Sequence, residues 1–327
     1  MRSVAVLNEL IADVSHAGAK NAPAPAPAAP APVKPTTAAK PEVAKAKAAA
    51  APQAKNAAAK ASPPAAAAPT PAAGPSLPAT EALYQGDTYL FTCEATVLGV
   101  APSEAGGWVV NLDRTCFHPQ GGGQPADTGT ITSADGGAAF AVSMVKKDPA
   151  GVVAHTGTVQ APAFGVGAKV RCVVDEESRV FNARVHSAGH LIDVAMTDNG
   201  MASKLKPTKG YHFTPGAYVE YDGKLDATER EALLPKLQAS MDSLIGKAVA
   251  TVVKQVDAQK LDEACPPNAL PSDKSLWGTG WVRVVCVGGL GCPCGGTHVN
   301  STKELGTVKV EGIKVKGKVT RVSYKVE

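Results

Sequence analysis

The sequence has few aromatic residues. Phe, Trp and Tyr make up 5% of its 327 residues, and the stretch 21–80 contains none. That stretch instead holds 26 Ala and 14 Pro in 60 positions. Such a segment cannot bury enough apolar surface to offset the entropy that ordering it would cost. The composition therefore predicts a long disordered N-terminal tail with a partly polyproline-like linker over 21–80, and folded structure from about residue 83.

Long apolar runs are also missing, since none approaches the roughly 18 residues that a membrane-spanning helix needs. The first residues lack the apolar core of a signal peptide, and Glu9 and Asp13 argue against a mitochondrial presequence. The seven Cys residues are odd in number and scattered, which argues against a disulfide framework and favours a reducing compartment. These absences predict a cytoplasmic protein that does not use a membrane.

Positive charge is concentrated in the tail, because residues 1–80 carry a net charge of +5 and the remainder carries −1. A weakly basic tail either adds affinity for nucleic acid or serves as a soluble spacer. Apolar residues at helical spacing permit a short helix over 1–20 that docks on a partner. They are Val4, Leu7, Ile11 and Val14. A frayed helix is the alternative, since a helix this short is marginally stable alone.

The body has two patterns. Short strand-like runs separated by turn-rich stretches predict a small closed β-barrel domain over 83–165. Over 166–327 the pattern is mixed, with a helix predicted at Glu176–Met196, a second apolar stripe at helical spacing, and a final segment that alternates like an antiparallel hairpin. The predicted fold class is therefore α+β, a small barrel domain followed by an α+β domain.

Two pairs of metal-ligating residues lie about a hundred positions apart. His186 and His190 are four apart on the predicted helix, so their imidazoles share one face. Cys294 and His298 are also four apart, across a Gly-Gly turn that can fold both inward. A thiolate with three imidazoles suits one Zn²⁺ per chain, in a full tetrahedral shell typical of structural zinc or with a displaced ligand for catalysis. Cys292, two residues before Cys294, is the competing thiol.

A second constellation is the sequence DRTCFHPQGGGQPADTG. Gly121, Gly122 and Gly123 expose backbone N–H groups that can hold an anion, a ribose or a developing oxyanion, although a tight turn is the alternative. The segment has no lysine in the arrangement of a phosphate loop. Thr115 and Gln124 bracket the glycines with a hydroxyl and an amide, which can bind a small polar side chain.

Four motifs together resemble those of the alanyl-tRNA synthetase editing domain, and above all its free-standing AlaX relatives. In chain order they are TCFHPQGGGQPADTG, HSAGHL, KGYHFTPGAYVEY, and CGGTHV followed by ELG. The resemblance covers residues from about 83 to 327. It implies that the second domain is a zinc-binding editing domain, and that the protein hydrolyses the ester linking a wrong amino acid, serine or glycine, to alanine tRNA.

The resemblance also implies residue roles. His186, His190, Cys294 and His298 would be the zinc ligands. Thr115 and Gln124 would shape the amino-acid pocket and its activity, beside the glycine loop. His118 departs from the family, which more often has Tyr there, and should alter the pocket rim.

Two other functions remain open. One is a non-catalytic, zinc-stabilised adaptor that binds tRNA while its tail tethers it to aminoacyl-tRNA synthetases. The other is an editor of a different, threonyl-type mischarged tRNA, which GGGQP and GYHF disfavour. The enzyme is favoured because all four zinc ligands are present and the glycine loop keeps both Thr115 and Gln124. Two groups of lysines are candidates for phosphate contacts: Lys204, Lys206 and Lys209, and Lys314, Lys316 and Lys318.

Overall fold

The computed structural model describes residues 77–104, 106–159, 164–270 and 274–327. The helix predicted over 1–20 and nearly all of the linker predicted over 21–80 lie outside these residues. Among the described residues, no helix has both the length and the apolar character needed to cross a membrane.

The first half of the described chain is built from eight strands. They are β1 (Glu81–Ala82), β2 (Thr92–Pro102), β3 (Trp108–Leu112), β4 (Arg114–Thr115), β5 (Gly129–Ser133), β6 (Ala139–Lys147), β7 (Val153–Val159) and β8 (Lys169–Val174). Six of them close into a barrel in the order β2-β3-β7-β6-β5-β8. Alternate residues point inward, and Leu112, Phe117, Ile131 and Phe140 are fully buried in its interior. The predicted barrel is confirmed.

The barrel extends past the boundary predicted at residue 165. Strand β8 closes it by pairing on both sides, because Cys172 lies opposite Cys93 of β2 and opposite Ile131 of β5. Without β8 the edges of β2 and β5 would lose their partners. The barrel therefore ends at Val174, directly before the first long helix.

The second half contains helices and two antiparallel sheets. Its elements are α1 (Glu176–Asp198), β9 (Lys206–Tyr211), β10 (Tyr218–Asp222), α2 (Ala227–Gly246), β11 (Val252–Asp257), α3 (Leu261–Ala264), β12 (Trp281–Val287), β13 (Leu290–Pro293), β14 (Val308–Lys316) and β15 (Val319–Val326). One sheet has the order β14-β15-β10-β9 and the other β11-β12-β13. The apolar core lies among α1, α2 and the four-stranded sheet. The α+β class is thus confirmed.

Local signals fix where the two long helices begin. The Asp175 side chain accepts a hydrogen bond of 3.1 Å from the Ser178 N–H and caps α1. A capping box opens α2, in which Asp226 and Glu229 each accept the other's backbone N–H. Thr228 and Glu231 have the same three-residue spacing but lie inside α2, because Asp226 caps the helix two residues earlier.

One buried arginine joins α1 to the barrel. Arg179 is fully buried, and its Nε lies 3.0 Å from both carboxylate oxygens of Asp127. Its two terminal nitrogens donate to the carbonyls of Thr88 (2.9 Å) and Cys116 (2.5 Å). The Asp127 carboxylate also accepts the backbone N–H of His118 at 2.5 Å. The segment that carries the glycines is therefore held against the start of α1.

We expect Arg179→Met to destabilise the fold by about 3–5 kcal/mol, because it leaves the Asp127 carboxylate buried without its cation. Urea denaturation followed by circular dichroism measures this change in the free energy of unfolding. The matched control is Arg114→Met, whose exposed ion pair with Glu81 (3.3 Å) should contribute only about 0–1 kcal/mol. Equal effects of the two variants would contradict the role given to the buried pair.

Candidate metal centre

The structure brings the two predicted pairs of ligands together. His186 and His190 lie on α1, while Cys294 and His298 lie in the turn that follows β13. The ligand atoms of these four residues all fall within 4.8 Å of one another. The Cys294 Sγ is 3.6 Å from the His186 Nε2 and 3.3 Å from the His298 Nε2. The four-residue cluster is therefore present.

The spacing of these atoms fits a metal ion. A tetrahedral ion with a bond of about 2.3 Å to sulfur and about 2.0–2.1 Å to nitrogen holds its sulfur and nitrogen ligands about 3.6 Å apart. Burial lowers the pKa of His190 to about 4 and the pKa values of His186 and His298 well below their ordinary range. All three rings are thus neutral near pH 7, which is the form that coordinates metals.

Buried hydrogen bonds orient the ligands. The His186 Nδ1 donates to the side-chain oxygen of Gln124 at 2.7 Å, which leaves its Nε2 free to face the cluster. The His298 Nδ1 lies 3.1 Å from the Ser187 hydroxyl. The Gln124 oxygen also accepts the Thr297 N–H (3.0 Å), and its amide donates to the Thr297 hydroxyl (2.8 Å). Such outer partners fix the tautomer and orientation of metal-ligating histidines.

The Gly-Gly turn brings Cys294 against α1 because one of its glycines has no room for a side chain. A Cβ on Gly296 would lie 2.3 Å from the His186 ring and 2.8 Å from the Gln124 oxygen. Arg283 braces the turn by donating to the carbonyls of Cys294 (2.7 Å) and Gly296 (3.0 Å). No local pattern pointed to Arg283, which lies in a strand of mostly apolar residues.

The two competing thiols take different places. Cys294 belongs to the cluster, whereas the Cys292 Sγ donates to the Pro293 carbonyl at 3.6 Å. Burial raises the pKa of the Cys294 thiol, and a bound cation would offset the cost of burying its thiolate. The preference for Cys294 over Cys292 agrees with this arrangement.

A fourth histidine, His212 of the motif GYHF, lies against the cluster. The His212 ring stacks on His186 with centroids 4.5 Å apart. Tyr324 donates to the Val185 carbonyl, so its hydroxyl accepts the His212 Nδ1–H at 2.6 Å. Burial lowers the pKa of His212 to about 3. The ring is therefore neutral, and its Nε2 is a hydrogen-bond acceptor. The first residue of the motif was the available signal, since Gly210 packs on this ring.

A cavity of about 300 Å³ opens onto the cluster. Its lining includes His186, His190 and Cys294, together with His212 and Gly122 from the glycine loop. The cavity is thus a recess with metal-ligating residues on one side and glycine backbone on another.

The remaining predicted site residues are divided between loop and barrel. Gly121 and Gln124 close the glycine turn through backbone hydrogen bonds of 3.2 and 2.9 Å. The Gly123 carbonyl accepts the His212 N–H at 2.8 Å, and a Cβ on Gly123 would lie 2.4 Å from the Gly210 carbonyl oxygen. The loop therefore packs directly on the segment that carries His212.

Thr115 lies inside the barrel rather than on the cavity lining. Its hydroxyl is 2.8 Å from the His155 Nε2 and accepts the Phe117 N–H at 3.1 Å. His155 donates its Nδ1–H to the Val110 carbonyl, so the Thr115 hydroxyl is the donor to Nε2. His118 is buried as well, with its ring edge-on to Tyr84. The structure thus joins Gln124, but not Thr115, to the metal-ligating cluster.

Known proteins are similar to this chain in sequence. Residues 43–178 match the family model of class II (A) tRNA synthetases, and residues 282–323 match that of the threonyl and alanyl tRNA synthetase second additional domain. The chain is 30% identical over 253 residues to the alanyl-tRNA editing protein AlaX-M of Methanosarcina mazei, an alignment that covers 75% of this chain and 95% of that protein.

Longer relatives are matched only in part. Identity is 30% over 238 residues to AlaX-L of Pyrococcus horikoshii, covering 70% of this chain and 54% of that protein. It is 33% over 232 residues to the alanine–tRNA ligase of Streptomyces avermitilis, covering 67% and 25%. The chain therefore spans about a quarter of the ligase but nearly all of AlaX-M.

The barrel, the cluster and these matches define the class as aminoacyl-tRNA editing hydrolases. Within that class, the chain belongs to the alanyl-tRNA editing proteins of the AlaX family.

We expect the purified protein to bind one metal ion per chain and Cys294→Ala to remove most of it, because that change deletes one of four ligands. Elemental analysis after purification without chelator measures the content. The matched control is Cys292→Ala, which should keep the parent content. The reverse order of the two variants would move the thiolate ligand to Cys292.

Proposed function

We propose that this chain hydrolyses the ester bond of alanine tRNA mischarged with serine or glycine, and so clears the product before it reaches the ribosome. Alanyl-tRNA editing by deacylation is the role of its family. The observation that carries the proposal is the Gln124 side chain, which joins the glycine loop to the metal-ligating cluster at a cavity. A recess so built can hold an aminoacyl ester between backbone donors and a metal.

We further propose that the metal is a single zinc ion held by His186, His190, Cys294 and His298, since three neutral imidazoles and one thiolate form a soft donor set. When bound, it would supply Lewis-acid polarisation of the ester or orient the substrate. An aminoacyl ester is already activated, so positioning contributes more than a strong nucleophile would.

The glycine loop supplies donors for the reacting carbonyl. Because Gly121 and Gln124 close the turn with their own backbones, the N–H groups of Gly122 and Gly123 are not used by the turn. Gly122 lies at the cavity. Backbone donors of this kind stabilise negative charge that develops on a carbonyl oxygen. Across the cavity, the neutral His212 Nε2 can accept a hydrogen bond from the substrate.

Gln124 and Thr115 act in this proposal by positioning. Gln124 fixes the tautomer of His186 and the turn at Thr297. Thr115 anchors the strand that leads into the loop through His155. Selectivity then follows from the polar cavity lining. A polar group of the lining loses its water when the substrate binds, and the serine hydroxyl would replace that water. Alanine would leave the group unpaired at a cost of about 1–3 kcal/mol, or about five- to 150-fold in rate.

The N-terminal segments have a separate place in the proposal. We assign residues 1–20 to docking on an aminoacyl-tRNA synthetase or another translation protein, and 21–80 to a tether. The barrel of 83–165, extended by β8, and the editing domain that completes the chain to 327 would act on the tRNA. The support for docking is the helical spacing of apolar residues near the start.

We expect the purified chain to deacylate Ser-tRNA of the alanine acceptor at least about fivefold faster than Ala-tRNA. Gly-tRNA of the same acceptor is measured beside them, because glycine carries no hydroxyl to pair with the cavity lining. Release of labelled amino acid over time measures each rate. Threonine tRNA mischarged with serine is the control that tests acceptor identity. Binding of tRNA with zinc present but no hydrolysis of any ester would favour the adaptor function instead.

We expect Gln124→Met to lower metal affinity by about 10- to 100-fold and to slow deacylation, because His186 loses its acceptor and Thr297 its partner. Competition with a chromogenic chelator measures the affinity. The matched control is Gln120→Met, an exposed glutamine of the same segment. Unchanged metal affinity in Gln124→Met would show that the amide does not support the ligands.

A further inference from the structure

Three aromatic side chains form a stack at one end of the four-stranded sheet. The ring of Tyr211 lies 4.9 Å from that of Phe213 and 5.3 Å from that of Tyr218, with interplanar angles of 27° and 18°. Tyr211 and Tyr218 are directly paired across β9 and β10. All three side chains are half-buried. The stack lies on the side of the sheet away from the core, because Val219 and Tyr221 of β10 occupy the buried side.

The same side of the sheet is rich in positive charge. Arg321 lies over the Tyr218 ring at 4.6 Å, and it is paired across the sheet with Lys314. Five further lysines occupy positions on this side that the register fixes: Lys206, Lys209, Lys309, Lys316 and Lys325. The acidic residues at paired positions are Glu220, which binds Arg321 at 2.7 Å, and Asp222. The face is basic on a body whose net charge is −1.

The stack adjoins the cavity. Strand β9 forms part of the cavity wall, since Lys209 and Gly210 line it and His212 follows directly after the strand. Tyr211 stands between Gly210 and His212 in the chain. Successive residues of a strand are about 3.3 Å apart. Gly210 and Val219 are on the cavity side of the sheet, and Tyr211 and Tyr218 are on the opposite side. Because β9 is the edge strand of this sheet, a chain that leaves the cavity across that edge reaches the Tyr211 ring.

We propose that this face binds the single-stranded 3′ end of the tRNA, with bases stacked on Tyr211, Phe213 and Tyr218 and phosphates paired with Lys209, Lys314 and Arg321. The inference rests on the proposed function, which requires the terminal aminoacyl ester to reach the cavity. Partly exposed aromatic rings interleaved with cations are the combination that holds single strands without reading their sequence. The charge complements a phosphate backbone.

The first test compares binding of two unacylated RNA hairpins that share one stem, one ending in four unpaired 3′ nucleotides and one blunt. Fluorescence anisotropy should show tighter binding of the overhang by the parent protein. The double variant Tyr211→Leu, Tyr218→Leu should lose that preference. Its affinity for the overhang hairpin should fall by about five- to 150-fold for each base that no longer stacks. The control is Trp108→Leu, a partly exposed aromatic residue of the barrel. An equal preference in parent and double variant would overturn the proposal.

The second test separates the face from the chemistry. In the double variant, KM for mischarged tRNA should rise, while hydrolysis of serine esterified to adenosine alone should keep the parent kcat/KM. An equal loss of kcat/KM on both substrates would show that the rings only support the fold, and would overturn the proposed binding of the tRNA 3′ end. If the parent protein hydrolyses neither substrate, the proposed function is refuted. The binding preference for the overhang hairpin would then be the test of whether this face binds single-stranded RNA.

The third test addresses the phosphates. Replacing both Lys209 and Lys314 by Ala should reduce the slope of log affinity against log salt by about 0.7 for each lost single-strand contact. Lys260→Ala together with Lys303→Ala, two lysines outside the four-stranded sheet, is the matched control. A slope that does not change in the Lys209 and Lys314 variant would contradict the phosphate contacts.

Discussion

The side-chain amide of Gln124 is the contact on which the site depends. It is fully buried, and it accepts from both His186 on α1 and the backbone of Thr297 in the turn after β13. Three segments distant in the chain therefore meet at one side chain. A buried amide is costly to leave unpaired, so the glycine loop, the helix and the turn are specified together. The positions of the metal-ligating residues therefore depend on the conformation of the glycine loop, and the loop conformation depends on them.

The barrel contributes to the site through its connections rather than its interior. Arg179 ties the start of α1 to Asp127 at the end of the glycine segment, and the Gly123 carbonyl accepts from His212. Because each bond is buried, small shifts in the barrel would be transmitted to the metal-ligating residues. This arrangement gives a physical reason for the barrel to accompany the cluster: it positions the donors of the loop over the cavity.

Much of this could be predicted, because the signals were local. The helix predicted at Glu176–Met196 is α1, which begins at Glu176 and ends two residues later than predicted, at Asp198. The four metal-ligating residues follow from spacing and residue type. The start of α2 is harder to read from sequence, since Asp226 and Thr228 both have side chains that cap helices and only Asp226 does so here. The barrel boundary was set too early, because a strand's sequence does not reveal which edges it will pair with.

The sequence by itself determined the class of fold, the family, and the four residues that can hold a metal. These depend on residue type and on short spacings, which a linear chain carries directly. Only the tertiary structure decided that Thr115 donates to His155 inside the barrel, and that His212 lies on the cluster with its tautomer fixed by Tyr324. Those roles depend on which buried polar groups find partners across distant segments, and that follows from packing.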